Sequence, residues 1–276
     1  MVLNLKNYIA SKEDLTTVEE GIQYVRHQNL GFIFKDKAKI NNTAVISYDS
    51  KYIYLFQHRQ FIKIDHGLTI SKKFHSWWRA GLLPDTLKKY LPTSITNKTR
   101  FDLPIISGGL LTPFIELQKQ KRRLNNPYVT RESYLATIIH EYGHLYYDQY
   151  KLWWFSNKEK NLKYLQFALQ AFSKNTPPKI ALRIPSHVGM NEVFAFCTEY
   201  FASKLFFPKH KLNLDKFYSC RIKELIKLES SKNLDQEDSV LDSQPSHDFA
   251  AVFGILLLRN SPKNWPKKLT TPGKLH

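Results

Sequence analysis

The sequence is poor in cysteine, and the two it contains exclude several classes of site. Cys197 and Cys220 are the only cysteines in 276 residues, and neither belongs to a Cys-x-x-Cys pair. Their separation argues against a zinc site built from thiolates and against a dithiol redox motif. Two buried thiols are the favoured interpretation, and a single disulfide is the alternative.

Long apolar runs are also absent. No stretch reaches the roughly 18 apolar residues that a membrane-spanning helix needs, and the longest candidate, Ala250 to Leu258, has the length of a core helix. The first residues lack a basic segment followed by an apolar one, so they do not resemble a secretory signal. We therefore expect a protein without a membrane span, cytoplasmic by default, with export by another route left open.

Acidic residues are scarce beside basic ones. There are 24 Asp and Glu against 41 Lys and Arg, which gives a formal net charge of +17. A strongly basic chain is typical of proteins that bind nucleic acid or anionic surfaces. Here, however, 31 of the basic residues are lysines scattered along the chain, and lysine makes poorer bidentate phosphate contacts than arginine. The composition favours a solvated surface over nucleic-acid recognition.

Hydrophobic patterning predicts an α+β fold. Residues 13–28 place apolar side chains three and four apart, which is typical of an amphipathic helix. Short β-rich runs follow and predict a small, mainly antiparallel sheet in the N-terminal lobe. These runs are Leu30 to Phe34, Ala44 to Tyr48, Tyr52 to Phe56 and Phe61 to Ile64. Helical patterns dominate the C-terminal lobe, in the second half of 151–172 and at about 191–207, 215–228 and 247–258.

The feature with the clearest chemical meaning is a His-Glu-x-x-His motif formed by His140, Glu141 and His144. It belongs to a predicted helix that opens near residue 126 or 130 and continues to about residue 150. On a helix, histidines four residues apart project from one face, and the glutamate lies beside them. This is the geometry of two zinc ligands and one general base. The alternative is a helix whose histidines are ordinary polar groups.

A zinc site of this kind needs a third protein ligand and leaves the fourth position to water. Asp148 lies one turn after His144 but about two turns from His140, too far along a straight helix to reach the same ion. Glu192 and Glu199 share one face of an otherwise apolar downstream helix, where a carboxylate needs a metal or a charged partner. The spacing alone leaves these two open.

The two helices together resemble the gluzincin metallopeptidases, the group that includes thermolysin and anthrax lethal factor. The resemblance rests on the His-Glu-x-x-His motif and on the segment Asn-Glu-x-x-Ala at 191–195, whose glutamate follows His144 by 48 residues. It implies that His140, His144 and Glu192 bind Zn²⁺ and that Glu141 is the general base. The implied function is zinc-dependent hydrolysis of peptide bonds in a peptide or protein substrate.

This sequence departs from the gluzincin pattern at Phe196, where many members carry an acidic residue four positions after the ligand glutamate. Glu199 is the alternative partner that could orient a ligand histidine from behind. The donor that stabilises the oxyanion is not defined by the motif. His247, His187 and Tyr200 are the candidates.

Three regions are predicted along the chain. Residues 1–100 form an α/β region that packs on the catalytic core, residues 101–259 form a zincin-like catalytic region, and residues 260–276 form a basic, proline-containing tail that we expect to be poorly ordered. Two alternatives to a metalloprotease stay open. One is a catalytically inactive metal-binding or interaction protein of the same fold, and the other, less favoured, is a basic nucleic-acid-binding protein.

Overall fold

A computed structural model describes residues 10–35, 45–48, 52–57, 60–65, 105–110, 130–148, 158–174, 190–234 and 244–270. The chain divides into two compact units, Met1–Leu145 and Tyr146–His276. The division falls inside the helix that carries the His-Glu-x-x-His motif. The boundary predicted near residue 100 lies outside the described residues.

The first unit begins with helix α1, Lys12–Val25, which starts at a capping box. The Ser11 hydroxyl accepts the backbone N–H of Asp14 at 3.2 Å, and the Asp14 carboxylate accepts that of Ser11 at 2.7 Å. The chain then forms a 3₁₀ turn at Gln28–Leu30, followed by further turns. The strand predicted from Leu30 to Phe34 is therefore wrong, although Leu30, Ile33 and Phe34 are all buried.

Four short strands belong to the first unit: β1 Val45–Tyr48, β2 Tyr52–Gln57, β3 Gln60–Asp65 and β4 Ile105–Leu110. Their order is β3-β2-β1-β4. The first three pair antiparallel, and β4 pairs parallel to β1.

Helix α2, Arg131–Asp148, carries the motif. Its start is fixed by Thr130, whose hydroxyl accepts the N–H of Ser133 at 3.1 Å, while the Ser133 hydroxyl accepts the N–H of Thr130 at 2.8 Å. Helix α2 packs closely on α1 because Gly21 has no side chain: a Cβ there would lie 2.7 Å from Cγ2 of Ile138. Arg131 also forms an ion pair with Glu20 of α1.

The second unit is built from helices α3 Lys158–Ser173, α4 Met190–Phe206, α5 Pro208–Ser230, α6 Gln244–Asn260 and α7 Trp265–Thr270. Helix α6 packs against α3 and α4, α5 packs against the same two helices, and α7 contacts α4. Pro208 follows the end of α4, as predicted, but it also opens α5, where the first helical position tolerates a residue without an N–H. Helix α5 therefore begins seven residues earlier than the apolar pattern suggested.

Part of the predicted C-terminal tail is ordered. Residues Trp265–Thr270 form α7, and Trp265 is fully buried with its ring 5.2 Å from that of Phe194. Leu269 is buried as well. The chain up to residue 270 thus differs from the tail we expected, because one tryptophan supplies enough apolar surface to hold a short basic helix.

The predicted α+β class is wrong. Outside the short strands, the described residues are 83% helical, which indicates an all-helical fold in place of one organised around an antiparallel sheet. The buried side chains come from helices and their flanking turns, with Tyr54 of β2 as the strand residue among those described. Strand propensity reports how well a side chain fits a half-buried pleated surface, so β-rich runs alone do not make a sheet the core.

Within the described residues, no helix is both long and apolar enough to cross a membrane.

Candidate metal centre

The motif helix is partly exposed at Thr137 and His140. From Tyr134 to Tyr147, Thr137 and His140 are the partly exposed residues among those whose side chains are described, and their neighbours are buried. Thr137 precedes His140 by three residues and His144 by seven, so the three positions share one face. This stripe is where a ligand from solvent could reach the His140 imidazole.

Glu141 lies beside this stripe in a more enclosed setting. Glu141 is only 8% exposed, and Ile138 and Ile139, three and two residues before it, are fully buried. The next residue, Tyr142, packs edge-on against Phe34 with the ring centroids 5.8 Å apart. Aromatic and aliphatic packing thus holds this turn of α2 while the carboxylate remains beside the histidine face.

The apolar residues Tyr134, Leu135, Ile138 and Tyr142 of α2 are spaced three and four apart along the chain, which predicts a face turned to the core, and all four are buried. The side chains of His144, Leu145 and Asp148 lie outside the described residues, as does the whole of His187. The predicted ligand role of His144 and the predicted minor role of Asp148 therefore stay predictions.

The last turn of α2 belongs to the second unit and contacts α4. Tyr146 stacks on Phe194 with ring centroids 6.0 Å apart, and Tyr147 lies 5.3 Å from the same ring. Phe194 follows Glu192 by two residues. The hydroxyl of Tyr147 also donates to the carbonyl of Leu269 at 3.5 Å.

Glu192 occupies the first turn of α4, and its side chain is 8% exposed. Its Oε2 lies 3.2 Å from Nδ1 of His247, at the start of α6. The His247 side chain is 48% exposed, so the pair joins a buried carboxylate to an imidazole that reaches solvent. The sequence predicted both residues for the site, but it did not predict that they contact each other.

Glu199, two turns further along α4, faces a different histidine. Its Oε1 lies 3.7 Å from Nε2 of His210, a residue of α5 that is only 4% exposed. The structure thus brings Glu199 to His210, and gives it a partner inside the second unit. The sequence analysis offers Glu199 as a partner for a ligand histidine, whereas its histidine in the structure is His210, which the sequence did not predict for the site.

Tyr200 is engaged by a separate ion pair. Its hydroxyl donates to Oδ1 of Asp215, whose carboxylate also accepts from Lys211 Nζ at 2.6 Å, and Lys211 Nζ lies 3.9 Å from the centroid of the Tyr200 ring. Burial and the Asp215 carboxylate raise the pKa of Tyr200. Because its hydroxyl is already donated to Asp215, Tyr200 is the weaker candidate for an oxyanion donor.

Tyr218 lies close enough to three acidic residues for their charges to change its pKa. Burial raises the pKa of Tyr218, and the negative charges of Glu199, Asp248 and Glu192 raise it further. Tyr218 lies on α5, whereas the acids lie on α4 and α6. Three helices thus converge on a cluster of charged groups.

Arginine 221 balances this negative charge. Its Nε donates to Oδ1 of Asp248 at 3.1 Å and its Nη2 to Oδ2 at 2.7 Å, a bidentate pair with side chains only 15% and 5% exposed. Asp248 directly follows His247. We did not single out Arg221 or Asp248 from the sequence. One available signal was an arginine in a lysine-rich chain, on an otherwise apolar helix face.

The donor set fits zinc in its chemistry: two imidazoles one turn apart, a nearby carboxylate for proton transfer, and a buried glutamate in an apolar helix. No group of three or more His, Cys, Asp or Glu side chains arranged to hold a metal is present among the residues that the structure describes. The His144 side chain lies outside that set. Comparison with protein-family models, with curated proteins and with solved structures finds no match for this chain.

Proposed function

We propose that this chain is a zinc-dependent metallopeptidase that hydrolyses peptide bonds in peptide or protein substrates. The observation that supports this most is the partly exposed His140 face of α2, with the enclosed Glu141 beside it on a capped and packed helix. An enclosed carboxylate beside a histidine that reaches solvent is the arrangement that a general base and a zinc ligand require.

In this proposal His140, His144 and Glu192 hold the ion. Bound Zn²⁺ would act as a Lewis acid and lower the pKa of a bound water to about 7. Glu192 is the third ligand in the proposal because its carboxylate is buried in the first turn of α4.

Glu141 is the proton carrier of the proposed reaction. Its carboxylate accepts a proton from the attacking water and then delivers it to the amine that leaves when the peptide bond breaks. The low exposure of Glu141 suits this role. A carboxylate shielded from bulk solvent does not lose the proton to solvent before it reaches the leaving amine.

The test is the substitution Glu141→Gln, which keeps the size of the side chain and removes its basicity. We expect hydrolysis of an unstructured protein substrate to fall by about 100- to 10,000-fold, while zinc stays bound. The matched control is Glu132→Gln, which removes the same charge from the first turn of the same helix. A Glu141→Gln variant as active as the wild type contradicts the proposal. A wild type that binds zinc without hydrolysing any peptide would favour the inactive metal-binding alternative.

A further inference from the structure

Four polar side chains of the second unit lead in sequence from a buried ion pair to Glu192. Arg221 of α5 donates two hydrogen bonds to Asp248 of α6, and His247 directly precedes Asp248. Nδ1 of His247 lies 3.2 Å from Oε2 of Glu192 on α4. All four side chains belong to the same compact unit. These contacts therefore connect a buried ion pair to the proposed metal ligand.

The Arg221–Asp248 pair fixes the backbone at His247. A bidentate guanidinium–carboxylate pair constrains both position and orientation, more strongly than a single hydrogen bond does. With side chains 15% and 5% exposed, this pair is shielded from water. Since Asp248 and His247 are adjacent on a helix, holding the first also limits where the second can point.

His247 in turn limits where the Glu192 carboxylate can lie. Nδ1 of His247 lies 3.2 Å from Oε2 of Glu192 without forming a hydrogen bond to it, so the contact acts through position and charge. The His247 side chain is 48% exposed and the Glu192 side chain 8% exposed, so the imidazole covers the carboxylate on the side nearer solvent. Groups that hold a metal ligand from behind fix its rotamer and typically change metal affinity by about 10- to 100-fold when removed.

We infer that His247 is a positioning residue for Glu192, held in place by the Arg221–Asp248 pair. This inference rests on the proposed function, because it assigns to His247 the task of keeping Glu192 ready to bind Zn²⁺. It differs from the oxyanion role considered for His247, since that role requires contact with substrate and this one requires only the contact with Glu192.

Two substitutions separate the roles. His247→Asn retains a side-chain N–H at about the position of Nδ1 but removes the imidazole, and His247→Ala removes both. We expect His247→Ala to raise the zinc dissociation constant by about 10- to 100-fold. His247→Asn is expected to keep zinc affinity close to that of the wild type.

The measurement is competition for Zn²⁺ between the full chain and a chromogenic chelator, with urea unfolding of each apoprotein to check that it is folded. His27→Ala, in the first unit, is the matched histidine-to-alanine control and is expected to leave zinc affinity unchanged. Unchanged affinity in His247→Ala, or an equal loss in His247→Asn and His247→Ala, would overturn the inference alone. A wild type that binds no zinc would overturn the proposed function and this inference together.

Discussion

Removing Arg221 is the sharpest test of the charged cluster in the second unit. Arg221→Met keeps much of the side-chain volume but leaves the Asp248 carboxylate, only 5% exposed, without its bidentate partner. Taking one member from a buried ion pair destabilises proteins by about 3–5 kcal/mol, chiefly because the remaining charge stays buried. Since the Arg221 side chain retains 15% exposure, we expect the lower end, about 3 kcal/mol.

The assay is urea unfolding followed by tryptophan fluorescence, with the thermal midpoint as a second readout. A loss of about 3 kcal/mol corresponds to a fall of roughly 6–12 °C in the thermal midpoint of a chain of this size. The control is Glu224→Gln, because Glu224 pairs with the same arginine at 3.1 Å through a side chain that is 60% exposed. Such an exposed pair contributes at most about 1 kcal/mol.

A double variant separates a buried charge from a simple loss of packing. Arg221→Met combined with Asp248→Leu replaces the ion pair by apolar groups, and such replacements are often neutral or stabilising. We therefore expect the double variant to be more stable than Arg221→Met alone. A single variant within about 1 kcal/mol of the wild type, well below the usual effect of breaking a buried pair, would refute the reasoning. So would a double variant less stable than the single one.

Two further predictions concern the same helices. Gly254→Ala should destabilise the protein by about 1–2 kcal/mol through overpacking, because a Cβ there would lie 2.5 Å from Cδ1 of Phe196. In urea unfolding, adding Phe196→Leu should recover part of this loss of stability. A double variant no more stable than Gly254→Ala would contradict the contact. Burial and the charges of Glu199, Asp248 and Glu192 raise the pKa of Tyr218, so the unfolded chain releases that proton first and stability falls as the pH rises above about 10. Tyr218→Phe should therefore lose less stability between pH 9 and pH 11 than the wild type, and an equal loss would show that this phenol does not contribute.

The helices of the second unit were largely predictable from the sequence. The apolar spacing predicted helices near the observed α3, α4 and α6, because a helix that packs against others on one side repeats its apolar residues every three or four positions. Proline 208 was harder to interpret, since the residue that ends one helix also begins the next. Trp265 was missed because a single buried tryptophan leaves no periodic pattern.

The fold class was not predictable in the same way. Alternating and β-branched residues in the first unit suggested a sheet as the organising layer, whereas the described core is helical. The reason is that strand propensity depends on what the strand packs against, which the local sequence does not specify. The contact of Gly21 with Ile138, which brings α1 onto the motif helix, is likewise a tertiary feature without a local signal.

In the candidate site, too, local features could be predicted from the sequence and contacts between helices could not. His140, Glu141 and His144 could be chosen as candidates because one helix sets their spacing. The apolar helix left Glu192 and Glu199 both open, and the resemblance to gluzincins favoured Glu192. The contact of Glu192 with His247 joins residues 55 positions apart, and the pairing of Arg221 with Asp248 joins residues 27 apart. Such pairs follow from helix packing, which the local sequence does not specify.

The zinc content of the purified chain tests the central claim most directly, measured for the wild type beside His140→Ala and Glu192→Ala. The proposed site predicts about one zinc per wild-type chain, with tight binding lost in both variants. If only His140→Ala loses zinc, Glu192 is not the third ligand. A wild type without zinc, or a His140→Ala variant that retains all of it, would contradict the metal centre itself.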